Sequence, residues 1–86
     1  MNYYTVVGLK YYLKEWGLLK LGSIVTLKKE PENQYDKRAV ACYYNDKKIG
    51  YISTTENRNF KNEGEYEVCL CQGLNQPILI NVKGEN

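Results

Sequence analysis

The segment Glu30-Pro31-Glu32-Asn33-Gln34-Tyr35-Asp36-Lys37-Arg38-Ala39-Val40 gathers carboxylates, amides, a phenol and two cations into one short stretch of this 86-residue chain. Asn33 and Asp36 are residue types that bond nearby backbone amides, so shaping a turn is one role open to them. Presenting acceptors, a ring and cations to a ligand is the other. Little else in the chain is equipped for chemistry. Histidine is absent, which removes the usual general base near neutral pH and the usual partner of a cysteine nucleophile. There is no glycine-rich phosphate loop, no nucleophile elbow and no histidine-containing metal motif. The reading is therefore a binding module rather than an enzyme, with no cofactor.

The cysteines number three: Cys42, Cys69 and Cys71. An odd count, with no secretory leader in MNYYTVVGLKYYLKEW, reads as free thiols in a reducing, cytoplasmic setting. Cys69 and Cys71, one residue apart in an apolar stretch, have poor spacing for a zinc site and read as small buried or half-buried strand residues. No metal is expected. No apolar run approaches the ~18–20 residues of a membrane span.

Tyrosine supplies nine of the eleven aromatic residues, and six of the nine stand in adjacent pairs: Tyr3-Tyr4, Tyr11-Tyr12 and Tyr43-Tyr44. In a strand, adjacent side chains face opposite ways, so each pair should place one ring inward and one outward. Outward rings suit a wet sheet surface and equally suit stacking on bases. The net charge is +2, unevenly spread. Residues 1–61 carry eleven Lys and Arg against six Asp and Glu, while residues 62–86 carry one against four. The first two thirds of the chain can thus present a weakly basic face.

The elements that must position these groups are short strands. Residues 3–9 read as a first strand, with Gly8 a point of close backbone approach. Leu13, Trp16, Leu19 and Lys20 have helix-like spacing, bracketed by Gly17 and Gly22, and suggest a turn with one helical turn. Residues 23–29 make a second strand, stopped by Glu30-Pro31 because proline cannot continue the ladder. Residues 39–44 and 47–52 flank an Asn45-Asp46 hairpin turn. Ser53-Thr54-Thr55-Glu56 resembles a capping box ahead of a short helix reaching about Phe60. A turn at Asn62-Glu63-Gly64 leads into 65–71, where Tyr66, Val68 and Leu70 alternate inward against Glu65 and Glu67. After a turn at Asn75-Gln76-Pro77, Ile78, Ile80 and Val82 point inward in the last strand. The expected core is Val6 or Val7, Val25, Leu27, Val40, Ile49, Val68, Leu70, Ile78 and Ile80. Six short strands are most economically closed on themselves. The fold class is mainly β: one domain over 1–86, a small six-stranded barrel of OB-like or SH3-like character with one or two short helical turns.

Four blocks in register resemble a known family: Val7-Gly8-Leu9-Lys10-Tyr11-Tyr12, Gly22-Ser23-Ile24-Val25-Thr26-Leu27, the segment from Glu30 to Val40, and Ile49-Gly50-Tyr51-Ile52. Together they look like the HIRAN domain, which occurs at the N-terminus of eukaryotic fork-remodelling helicases and in bacterial proteins, some standing alone. The resemblance implies an OB-like barrel that binds single-stranded DNA and prefers a free 3′ end. It places Lys10 on backbone phosphate, Tyr11 and Tyr12 at the paired aromatic positions, and Asn33, Tyr35 and Asp36 in the loop that holds the terminal nucleotide; Tyr51 joins this DNA-binding set. The chemistry suits those roles. A carboxylate accepts a hydrogen bond from a terminal 3′-hydroxyl and repels a phosphate at the same place. A ring stacks on any base. The implied context is DNA repair, replication or restriction, with helicase or nuclease partner proteins and a monomeric domain. The helicase versions have a longer helical stretch and a basic residue after the last block, where this chain has Ser53 and Thr54. They also have an aromatic residue after the fifth strand, where this chain has Gln72. The rival reading is a protein-interaction barrel that kept the fold and lost the DNA contacts.

Overall fold

Alternation of apolar and polar residues does produce six strands, in a computed structural model that describes residues 2–13, 19–73 and 78–84. They are β1 (Asn2–Val7), β2 (Ile24–Lys29), β3 (Val40–Tyr44), β4 (Lys47–Ile52), β5 (Gly64–Gln72) and β6 (Leu79–Gly84). One helical turn, α1 (Leu9–Tyr12), follows β1, and a 3₁₀ turn covers Asn57–Asn59. The strands close in the order β1-β4-β3-β2-β5-β6, and every neighbouring pair is antiparallel. The OB-like barrel expected from the sequence is the fold observed.

Inward-facing residues from all six strands fill the barrel. Val6, Val25, Leu27, Val40, Ile49, Val68, Ile80 and Val82 are buried, as their period-2 placement requires. Each is worth about 1.5–3 kcal/mol relative to exposure. At one end Tyr66 packs its ring against Tyr4 and Phe60, with centroid separations of 5.8 and 6.1 Å, and donates its hydroxyl to the Asn62 carbonyl at 2.8 Å. Tyr3 is exposed and Tyr4 buried, so this pair splits as a strand demands. Asn45 and Asp46, at φ 51° and 65°, make the two-residue turn between β3 and β4, a conformation their short polar side chains tolerate.

Several expectations are corrected. The first strand ends at Val7; Gly8 takes a left-handed conformation (φ 80°) and starts α1, so Tyr11 and Tyr12 lie on a helical turn with both rings exposed. The close backbone approach lies at Gly50, where a Cβ would stand 2.5 Å from the Val7 carbonyl oxygen; nothing crowds Gly8. Leu70 and Ile78 are exposed rather than core. A β-bulge at Cys69 shifts the β5–β6 register between Val68 and Leu70. Beyond it the inward position passes to Cys71, which packs on the core, and Leu70 turns out. Ile78 precedes β6 and sits in its approach. The capping box does not form. Glu56 bonds across to β1, accepting from the Thr5 amide at 2.6 Å and the Thr5 hydroxyl at 3.0 Å. No turn forms at 62–64; Gly64 already opens β5. The helix-like spacing around Trp16 and the turn at 75–77 lie outside the described residues, although Leu13 and Leu19 on either side of the former are buried. Cys42 is buried and its thiol is pushed up to about 12 by that burial, which makes it an inert core residue.

Candidate nucleic-acid interface

The loop between β2 and β3 is held in shape by its own side chains. The Asn33 Oδ1 accepts from the amides of Tyr35 at 2.8 Å and Asp36 at 3.0 Å, while the Asp36 Oδ1 accepts from the Arg38 amide at 2.8 Å. Backbone bonds from Glu30 N to Ala39 O and from Ala39 N to Asp36 O close its base. The turn-shaping role open to Asn33 and Asp36 is therefore real. It also exposes Tyr35, a residue 89% accessible at the tip.

Glu30 ties this loop to the barrel wall. Its carboxylate accepts from the Asn33 Nδ2 at 3.1 Å, from the Tyr51 hydroxyl at 3.0 Å, and pairs with the Lys48 ammonium at 2.7 Å. Lys48 also donates to the Tyr51 hydroxyl at 2.8 Å and lies 4.9 Å over its ring. In a regular strand Lys48 and Tyr51 would face opposite sides. A bulge at Ile49 shifts the β3–β4 register between Cys42 and Tyr43 and brings both onto the outer face. Burial raises the Glu30 carboxyl, but hydrogen bonds from Lys48, Asn33 and Tyr51 and the Lys48 charge outweigh it and hold the group below the usual carboxylate range.

A carboxylate lowered in the folded state contributes stability above its unfolded pKa and loses it as pH falls through the folded value. Glu30→Gln is therefore expected to lower stability by about 1–2 kcal/mol at pH 7, between the worth of an exposed ion pair and of hydrogen bonds to a buried charge. Melting curves from pH 7 down to pH 2 should show the variant and the parent converging in acid. A gap that persists at pH 2 would mean the carboxylate charge is not what matters.

Between this loop and α1 runs a groove of about 670 Å³, lined among others by Val7, Tyr12, Asn33, Tyr35, Asp36 and Tyr51. The Tyr12 and Tyr51 rings meet edge to face at 6.4 Å on its wall. The Asp36 Oδ2 faces Asn57, whose amide donates to it at 2.9 Å. Five of the seven sequence-derived residues thus share one groove: Tyr12, Asn33, Tyr35, Asp36 and Tyr51. Lys10 and Tyr11 lie outside its lining, exposed on α1, with the Lys10 ammonium 5.2 Å over the Tyr11 ring. Three participants were not foreseen. Glu30 is part of the singled-out segment but carries no role there beyond ending the strand, Lys48 has no assigned role, and Asn57, 7% exposed, carries no local signal because its partner Asp36 is 21 residues away.

The groove can stack planar rings on tyrosines and offer a carboxylate as hydrogen-bond acceptor. Comparison with known proteins gives a consistent frame. The family model of the HIRAN domain matches residues 1–73. The chain superposes on a crystal structure of the HIRAN domain of human HLTF with a TM-score of 0.64 and 21% identity, over 94% of this chain and 71% of that one. It superposes on a crystal structure of a protein from Lactobacillus plantarum with a TM-score of 0.70 and 23% identity, over 96% and 94%. At these identities the two structures speak for the fold. No curated protein matches the sequence.

Proposed function

Because the chain belongs to the HIRAN family, whose domains bind DNA rather than catalyse reactions, we propose that it is a non-enzymatic module that binds single-stranded DNA by a free 3′ end. The observation that carries the reading is the groove itself, which sets three tyrosines, Tyr12, Tyr35 and Tyr51, around the Asp36 carboxylate. The terminal base stacks near Tyr35, the 3′-hydroxyl donates to Asp36, and Lys10 on the α1 bank meets a backbone phosphate. Asn33 serves by holding the loop. The Asp36 oxygens each accept one hydrogen bond, which leaves each a free acceptor site for the hydroxyl. On this reading the domain is a monomer acting in cytoplasmic DNA repair, replication or restriction, beside helicase or nuclease proteins.

The test is a fluorescence titration with short oligonucleotides that differ only in a 3′-hydroxyl or a 3′-phosphate end. Tighter binding of the hydroxyl end supports the proposal. Equal binding would leave a DNA module without end selectivity. No binding of either at millimolar strand would favour a protein-interaction barrel instead.

A further inference from the structure

The loop that forms one bank of the groove has a second side. There a smaller pocket of about 260 Å³ is lined by Lys29, Pro31, Lys37, Arg38, Val40, Asn57, Arg58 and Phe60. Four of these are cations. The ion pair found among the described residues joins Lys48 to Glu30, so none of the four is neutralised by a carboxylate in contact. Two carboxylates near these residues make hydrogen bonds to amides rather than ion pairs. Glu63 accepts from the Lys29 amide at 2.7 Å, and Asp36 accepts from the Arg38 amide and from Asn57. Pro31, Val40 and Phe60 supply an apolar floor that fixes the cations around a cavity rather than leaving them spread on a flat surface. The four cations come from three places in the sequence, the end of β2, the β2–β3 loop and the 3₁₀ turn, and converge only in the fold.

The two cavities share Asn57. They are also joined through the loop, since Arg38 follows the groove residue Asp36 by two positions, a reach of at most about 7 Å. We propose that this pocket is a phosphodiester-binding site for the nucleic acid whose end occupies the groove. The proposal rests on the reading of the groove as a DNA site and extends it to residues that reading does not use. A phosphodiester chain, which carries a charge at every nucleotide, suits four unpaired cations around one cavity better than a single carboxylate does, and Arg38 and Arg58 can fork onto its oxygens while Lys29 and Lys37 act as point charges. The phosphate can belong to the bound strand, farther from its end, or to a complementary strand annealed to it.

Three ligands separate the possibilities: a 3′-hydroxyl trinucleotide, a ten-nucleotide single strand with the same end, and that strand annealed to a complement leaving the three terminal nucleotides free. Each is titrated from 50 to 200 mM salt against the parent and the Lys37→Ala/Arg58→Ala double variant. Both residues are exposed, and an unchanged melting temperature verifies the fold. The expected result is an unchanged trinucleotide affinity. A longer ligand should bind about tenfold or more weakly, with its log–log salt slope reduced by two phosphates' worth, roughly 1.4 if they lie on the single strand at about 0.7 each and roughly 1.8 if they lie in the duplex at about 0.9 each. Loss already on the ten-nucleotide strand assigns the phosphate to the bound strand, and loss confined to the annealed ligand assigns it to the complement. An unchanged slope on all three ligands overturns the site. So does an equal loss on all three, which would make the cations part of the groove. Failure of the groove reading looks different: the parent would show no preference for a 3′-hydroxyl, while the slope of longer ligands still reports on the pocket.

Discussion

Asp36→Ala is expected to weaken binding of strands ending in a 3′-hydroxyl by about 1–3 kcal/mol, roughly 5- to 150-fold, the usual cost of losing a hydrogen bond to a charged acceptor. Strands ending in a 3′-phosphate should lose less or gain, because removing the carboxylate also removes its repulsion of that group. The ratio of the two affinities is the diagnostic quantity. Asp36 also holds the Arg38 amide and the Asn57 side chain, so the melting temperature should fall with the same substitution. Asp36→Asn separates the effects: it keeps an acceptor for the Arg38 amide and removes the charge. If Asp36 only shapes the loop, both variants leave the ratio of affinities where it was.

Tyr66→Ala is expected to cost about 3–5 kcal/mol, the range for deleting a buried aromatic ring, in a chain whose size suggests a total of about 5–10 kcal/mol. The ring meets Tyr4 and Phe60, and Gly84 lies so close that a Cβ there would stand 2.6 Å from it. The cavity has little around it that can collapse, since its other walls are β-strands of a closed barrel. Tyr66→Phe keeps the ring, loses the bond to the Asn62 carbonyl, and should cost about 1 kcal/mol. Urea unfolding of both variants gives the comparison; a loss below 1 kcal/mol for the alanine variant would show that the aromatic cluster does not organise the core.

Strand existence and most inward positions were legible because period-2 alternation survives in short segments, as in Val25 and Leu27 or Val68. The failures fall where the alternation is interrupted by something that alternation cannot encode. The bulge at Cys69 costs one residue and reverses the sense of Leu70. The left-handed Gly8 ends the first strand at Val7, and Leu9, read as strand, opens α1 instead. In the site, the local pattern Asn-x-Tyr-Asp marked the loop, and the paired tyrosines marked the opposite bank. What joined them, Glu30 with Lys48 and Tyr51, and Asn57 with Asp36, depends on contacts between residues about 20 positions apart, which no short window of sequence contains.

The junction between β1 and β4 has the shortest register in the barrel, two paired positions, Val6 with Ile52 and Val7 with Tyr51, against four or five at the other junctions. Beyond them it continues through the Ser53 amide on the Thr5 carbonyl at 2.8 Å and through the Glu56 side chain. The groove lies over this junction, taking Val7 from one strand and Tyr51 and Ile52 from the other. Anything bound there clamps together the two strands most free to separate. Occupancy and local breathing are then opposite sides of one equilibrium, and a ligand at a hundredfold its Kd should add about 2.7 kcal/mol to the cost of opening. Amide hydrogen exchange at Thr5 and Ser53 should accordingly be fast in the free protein relative to β5 and β6, and should slow by about two orders of magnitude with bound oligonucleotide. Protection that appears equally in every strand would place the weak point elsewhere.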